Sequence, residues 1–567
     1  MSHNASASWA GPSAAHGADR KFTAGGKPLV EAADFCSETD QRWRDLFPIP
    51  LIPESRAVRA RNPVRSSSSV ASTRNEGRRK HNLAVANQVI TATNEMYDAS
   101  SSLSTHSGST LAQRKAQNSI LDAVVKNQHS KTCMTQQEAV HELLLESHLY
   151  TDASCDSVAP TTVRSYDRAK VSLPDVNSAP VPQVLDIIDP HGREILKDAE
   201  RTMLSGDATH RGERPKIYMD DALKRDKRLY IQFVVDLYKR NMIRFSETCA
   251  SVITPFFVIK KDGRLRLVLD CRETNLLFKE SPNIAMAAGY SFSQLEVPQD
   301  QCLYIAQSDI KDYFYSLGLP QDLQKFFALP MLKRSDLLGA GIPADALPLC
   351  DNIYPMFLVV PMGWSWAMWI AQRVHSHQAA IAAGLDESRI VADGRPTPCL
   401  ASGQPALLPY ADNNNVVGTN REEVQATRDR IVKHFQSLGF RVHEEVDACD
   451  MATSLGFLID GRRGLIRPNP VKVDKVIKAL LWLKTRPRVS GRAIERIIGH
   501  CVHFFMLKRE LLSIFRAMYD YKACNYHSRP RLWAMAAAAA GWAAALLHVC
   551  FADLKKAVVG GCDLLRC

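Results

Sequence analysis

"LLPYADNNNVVG", residues 407–418, sets apolar residues on both sides of one aspartate that runs into three asparagines. A buried strand cannot carry such a polar run cheaply, because each unpaired polar group loses its water. A hairpin tip removes the conflict. Leu407, Leu408 and Tyr410 then form one arm, and Val416 and Val417 the other. Asparagine tolerates left-handed backbone, so Asn413 to Asn415 are expected to make the turn and present Asp412 from it.

The flanks carry regular patterns of their own. "TNREEVQATRDRIVKHFQSLGF" (419–440) has Glu422 and Glu423 in its first turn, a stop at Gly439, and Val424, Ile431, Phe435 and Leu438 as one apolar face. It reads as a helix lying across a sheet. "TSLGFLIDGRRGLIRP" (453–468) reads as a further short hairpin, and helices are expected near 471–484 and 490–506, joined by "RPR". Upstream, "WAMWIAQRVHSHQAAIAAG" (366–384) reads as a helix stopped by Gly384. "CLYIAQSD" (302–309) is a strand ending in Asp309. In "SVITPFFVIKKDGRLRLVLDC" (251–271), two β-rich runs flank Lys-Asp-Gly, a strong hairpin signal. "DDALKRDKRLYIQFVVDLYKRN" (220–241) puts Leu229, Phe233 and Leu237 on one helical face.

The chain has 567 residues, 46% of them hydrophobic, and a formal charge of +11, which leans towards a polyanionic partner. Its fourteen cysteines form no C-x-x-C pair, which points to an intracellular setting, cytoplasmic or nuclear. No signal pattern opens the chain. The uncharged stretch 533–552 is mostly alanine and contains His548, so a buried helix is favoured over a membrane span. Residues 1–184 are read as a mostly disordered, basic region, with "RAVRARNPVRSSSSVASTRNEGRRKH" (56–81) as its clearest stretch. Within it "QQEAVHELLLESHLY" (136–150) has a helical pattern without an obvious partner. Residues 185–470 alternate strands and helices around one sheet, and 471–567 form a helical appendage.

Two acidic strand ends carry the chemistry. Asp309 and Asp412, delivered by neighbouring strands, can share divalent cations; Mg²⁺ takes hard oxygen ligands and keeps room for phosphate oxygens. Two such ions about 3.5–4 Å apart stabilise the attacking and leaving oxygens of an in-line phosphoryl transfer. In chain order, "TPFFVIKKDGRLRLVLDCRETN", "SDIKDYFYSLGL", "VVPMGWSWAMWIAQ", "LPYADN" and "LGFLIDGRRGLIRP" resemble the motif series of the retroviral and LTR-retrotransposon reverse transcriptases, from the fingers hairpin to the primer grip. The resemblance runs over about residues 240 to 510.

That resemblance implies an α+β right-hand polymerase fold: fingers and palm over 185–470, a helical thumb or connection-like region over 471–567, and an RNase H domain expected beyond. It implies an RNA-directed DNA polymerase extending a primer on an RNA or DNA template with dNTPs. Asp309 and Asp412, with the backbone carbonyl of Ile310 and the amide of Asn413, would hold Mg²⁺. Lys260 or Lys261, Arg266, and the backbone around Asp312 and Tyr313 would hold the triphosphate. Phe314 would collide with a 2′-OH, Met362 and Gly363 would line the nucleotide pocket, and Leu455 and Gly456 would fix the primer end.

Two departures stand out. Asn413 replaces a second aspartate, which predicts weaker Mg²⁺ binding and better performance with Mn²⁺. "GFRVHEEV" (439–446) lacks the lysine such enzymes use to protonate the leaving pyrophosphate; His443 is a candidate substitute, although a solvent-facing histidine without a catalytic part is favoured. The alternatives are a catalytically silent relic that binds nucleic acid and an RNA-dependent RNA polymerase, the latter disfavoured by Phe314.

Overall fold

The computed structural model describes residues 46–55, 69–97, 109–128, 132–146, 163–176, 181–206, 215–260 and 262–555. In chain order, helices α1 (Ser69–Met96), α2 (Leu111–Lys126) and α3 (Gln136–Glu146) come first. A capping box starts α2: the Thr110 hydroxyl accepts from the Gln113 backbone and the Gln113 side chain returns to the Thr110 backbone. Strands β1 (Val163–Arg164) and β2 (Val171–Ser172) follow. Helix α4 (Lys227–Tyr238) is capped by Asp226 and buries Phe233 and Leu237, with Leu229 half-buried. Strands β3 (Thr254–Ile259) and β4 (Leu265–Asp270) form the expected Lys-Asp-Gly hairpin, with Ile259 opposite Leu265. The segment holding β1 and β2 straddles this hairpin. It lays β1 antiparallel along β3 and β2 parallel along β4, giving the order β1-β3-β4-β2.

Strand β5 (Tyr304–Ile310) leads towards helix α5 (Ala367–Ala383), which ends at Gly384 in left-handed conformation, φ 65°. Strands β6 (Ala406–Leu407) and β7 (Asn413–Gly418) are followed by helix α6 (Arg421–Ser437) and strand β8 (Val442–Cys449). These strands make the central sheet, in the order β8-β5-β7-β6. Helix α6 lies on it through Val424, Ile431 and Phe435, and α5 through Trp369, Ile370 and Val374, all buried.

Residues 453–468, expected as one hairpin, contribute instead to two turns. Strands β9 (Met451–Ser454), β10 (Phe457–Asp460) and β11 (Leu465–Pro468) run antiparallel in succession. Helices α7 (Pro470–Lys484), α8 (Gly491–Phe505) and α9 (Ala534–Leu546) follow, with β12 (Ala552–Asp553) as the edge strand of the sheet β9-β10-β11-β12. Helix α9 is the alanine-rich stretch, and its Ala536, Ala539, Ala540 and Ala543 are buried. Among the described residues, no helix is long and apolar enough to cross a membrane.

The N-terminal third differs from expectation where it is described. Residues 1–45 and 56–68, the latter holding the first half of the basic run, lie outside the described residues. Helices α1, α2 and α3, however, have partners: Val85, Val89, Ile120, Val124, Val140 and Leu143 join one core with the apolar faces of α7, α8 and α9. The 136–150 pattern thus finds its partner about 340 residues downstream, too far along the chain for local periodicity to reveal. Polar pins fix the contact. The Asn127 side chain donates to the carbonyls of Leu547, His548 and Cys550, each at 3.2 Å, and Asp474 accepts from the Thr132 hydroxyl at 2.6 Å.

Candidate active site

The β5–β7 pairing brings the two expected aspartates to one sheet end. Asn413 stands opposite Asp309, and the Ile310 N–H donates to the Asp412 carbonyl at 2.9 Å. The tip itself is tighter than expected. Tyr410 and Asn413 exchange both backbone hydrogen bonds at 2.8 Å, leaving Ala411 and Asp412 as the loop. Ala411, not an asparagine, carries the left-handed backbone at φ 51°. The asparagines lie in β7, and they survive there because polar partners face them across the sheet. The Asn415 amide oxygen accepts from Gln307 at 2.7 Å and from Ser454 at 3.0 Å, while the Asn414 amide donates to the Ser308 hydroxyl at 3.3 Å.

Helix α5 holds the tip from behind, through residues that sequence reasoning passed over. Gln372 accepts from the Ala411 N–H at 2.9 Å and donates to the Pro409 carbonyl at 2.8 Å. His375 Nδ1 lies 2.6 Å from the Ala411 carbonyl, so it must carry the proton and donate. Burial pulls the His375 pKa down to about 4, keeping the ring neutral. A glutamine and a histidine on the buried face of an alanine-rich helix were the available signal.

The Asp412 charge perturbs Asp309. Burial and then the charge of Asp412 push the Asp309 pKa up to about 6, opposed by His443. Burial also raises Asp412, while the Asn413 amide, 2.9 Å from its Oδ1, and the charge of Arg266 oppose the rise. His443 does not stand idle in solvent: β8 pairs with β5 at His443 and Asp309, and its Nε2 lies 2.8 Å from the Asp309 carboxylate. Among the described residues no group of three or more acidic, histidine or cysteine side chains forms a ready metal cluster. The candidate oxygen donors brought together here are the Asp309 and Asp412 carboxylates, with the Asn413 amide beside Asp412. Two half-buried carboxylates this close suit a divalent cation, whose charge would relieve their repulsion.

The fingers hairpin brings its cations to the same place. Lys260 follows β3 and donates its N–H to the Arg264 carbonyl at 2.7 Å, Arg266 faces Val258 across β3 and β4, and the charge of Arg266 is felt by Asp412. Lys260 is depressed by burial and partly restored by the charge of Asp312, and its Nζ donates to the Ser172 hydroxyl at 3.0 Å. Lys261 lies outside the described residues. Asp312 takes left-handed backbone, φ 53°, just past Lys311 at the end of β5.

No protein-family model matches the chain. Over 299 residues it is 21% identical to the Gag-Pol polyprotein of Bovine immunodeficiency virus (strain R29), a match spanning 52% of this chain and 17% of that polyprotein. Among solved structures, a foamy viral protease-reverse transcriptase in complex with double-stranded DNA aligns at a TM-score of 0.39 and 13% identity, over 64% of this chain and 59% of that one. The chain resembles a retroviral reverse transcriptase.

In this reverse-transcriptase-like chain several of the remaining expected residues are tied into the surrounding scaffold. Tyr313 supports: its ring is buried against His375 and Phe440, and its hydroxyl donates to the Ala371 carbonyl at 2.8 Å, so only its backbone is left for a ligand. Phe314 beside it is half-buried. Met362 accepts from the Leu269 N–H at 3.0 Å, and Gly363 follows with φ 128°. A Cβ at Gly363 would meet the Leu269 carbonyl oxygen at 2.1 Å, so glycine alone lets this loop press against β4. Asn275, unremarked in the sequence, clamps the loop by donating to the Gly363 carbonyl and accepting from the Ser365 N–H. Leu455 and Gly456 form the β9–β10 turn, with φ 48° and 80°, against His503 of α8.

Proposed function

We propose that the chain is an RNA-directed DNA polymerase of the retroelement kind, extending a primer with dNTPs by two-metal phosphoryl transfer. The observation that carries this reading is the convergence of Asp309 and Asp412 at one sheet end under the cationic fingers hairpin. Asp309, Asp412, the Ile310 carbonyl and the Asn413 amide would hold Mg²⁺. When bound, Mg²⁺ supplies charge that activates the primer 3′-hydroxyl and neutralises the phosphate oxygens. Lys260, Arg266 and the backbone at Asp312 and Tyr313 bind the triphosphate, Met362 and Gly363 bound the nucleotide pocket, and Leu455 and Gly456 orient the primer end. Phe314 screens against a ribose 2′-hydroxyl.

A second reading has its own support. Each carboxylate already has a donor from its own chain, His443 for Asp309 and Asn413 for Asp412, an arrangement that also suits a silent fold that only binds nucleic acid. One assay separates the two. Purified chain receives a primed RNA template with dNTPs or rNTPs, in Mg²⁺ or Mn²⁺. Extension with dNTPs that disappears in Asp309→Ala and Asp412→Ala supports the polymerase; template binding without extension in either metal supports the silent fold.

A further inference from the structure

We propose that Arg441 is an additional triphosphate-binding cation of this site, held in reserve by Asp175 until a nucleoside triphosphate displaces it. The inference rests on the polymerase reading and adds to it a residue and a competitor.

The geometry begins at the entry to β8. The Arg441 carbonyl accepts from the Lys311 N–H at 2.8 Å, which sets this residue beside the turn that follows Asp309. Its guanidinium then forks. Nη2 stands 3.6 Å from Asp312 Oδ2, a buried oxygen with no hydrogen-bond partner, while Nη1 pairs with Asp175. Asp175 belongs to the segment that straddles the fingers hairpin, and the same segment offers the Ser172 hydroxyl to Lys260. The two cations whose charges meet at Asp312 are therefore each occupied by a side chain from one short segment, 163–176.

The two restraints differ in strength from what a ligand would offer. The Asp175 side chain is 68% exposed and Arg441 35%, so their pair is well solvated and holds weakly. A triphosphate carries several charges and presents planar oxygen pairs that match a guanidinium fork, so it outcompetes a single exposed carboxylate. Displacement leaves Nη2 close to Asp312. There it offsets the repulsion between that buried carboxylate and an incoming anion. Through Asp175, Arg441 reaches the segment that lies along the β3–β4 hairpin carrying Lys260 and Arg266, which favours a nucleotide over the backbone of a bound template.

Calorimetric titration of the full chain with sodium tripolyphosphate, and separately with dATP in Mg²⁺, tests this without requiring turnover. Loss of one charge-assisted bidentate contact predicts that Arg441→Gln weakens tripolyphosphate binding about tenfold, with Arg441→Lys in between. Asp175→Asn, a surface change, should tighten binding several-fold, and that gain should vanish in the double variant Asp175→Asn/Arg441→Gln. Unchanged binding in Arg441→Gln overturns the proposal, as does a gain from Asp175→Asn that persists without Arg441. Weakened primer–template binding with tripolyphosphate binding intact would also overturn it. Arg441-dependent binding in a chain that extends no primer would sink the polymerase reading and leave this one standing; extension with an unaltered dNTP KM in Arg441→Gln would do the reverse.

Discussion

Replacing Asp309 with asparagine should make the metal-free protein more stable at pH 8, although it removes a group expected to be essential. Asp309 keeps a folded pKa of about 6 against an ordinary value of 3.8, with burial as the first cause and the Asp412 charge as the second. A raised carboxylate pKa means that the native state holds a proton which the unfolded chain has released. Between pH 4 and pH 6 the native state binds more protons, so unfolding free energy falls as pH rises, and above about pH 6 the loss is complete. A rise from 3.8 to about 6, at about 1.36 kcal/mol for each tenfold change in proton affinity, gives roughly 2–3 kcal/mol, the side chain being only 19% exposed. The isosteric amide carries no charge and escapes this loss. Thermal or urea unfolding in EDTA should therefore show wild type and Asp309→Asn alike at pH 4, and the variant ahead by roughly 2–3 kcal/mol at pH 8. Mg²⁺ should reverse the order in part: at ten times its Kd it stabilises wild type by about 1.4 kcal/mol and does little for the variant. If the variant shows no advantage at pH 8 in EDTA, or gains as much from Mg²⁺ as wild type, the carboxylate pair does not repel as argued and the metal reading loses its physical basis.

Asn413→Asp should raise Mg²⁺ affinity on the order of tenfold by adding ligand charge, and narrow any preference for Mn²⁺; isothermal titration with both metals checks this. Gly363→Ala, which combines positive φ with a Cβ 2.1 Å from the Leu269 carbonyl, should cost roughly 2–5 kcal/mol, seen as a lower urea midpoint together with lost activity. His375→Leu strands the Ala411 carbonyl, and should cost roughly 1–3 kcal/mol of stability while weakening Mg²⁺ binding more than it weakens template binding. Phe314→Ala should raise ribonucleotide incorporation relative to deoxynucleotide by roughly tenfold or more in single-turnover extension.

How far the sequence could be read depended on the distance over which each pattern is satisfied. The β3–β4 hairpin, α4 and α6 were legible because their determinants are local: a Lys-Asp-Gly turn, and apolar residues recurring once per helical turn. Asp309 and Asp412 stood out only through the ordered series of motifs around them, since a lone acid at a strand end is more often a turn or cap residue. The asparagine run misled because its partners are remote. Asn414 and Asn415 are strand residues only given Ser308, Gln307 and Ser454 across the sheet, and nothing in 407–418 announces them. The same reasoning explains why α3 looked partnerless and why Gln372, His375 and Asn275 were passed over: each is a polar group whose role is defined by a backbone carbonyl or N–H brought to it from elsewhere in the chain. His443 shows the other side of this limit. Its residue type suggested chemistry and its setting suggested solvent, but strand pairing decides, because a histidine opposite Asp309 in the β8–β5 register cannot avoid that carboxylate. Buried polar side chains that looked costly in one dimension are therefore the most informative places to seek long-range contacts, since the cost is tolerated only where the fold returns a partner.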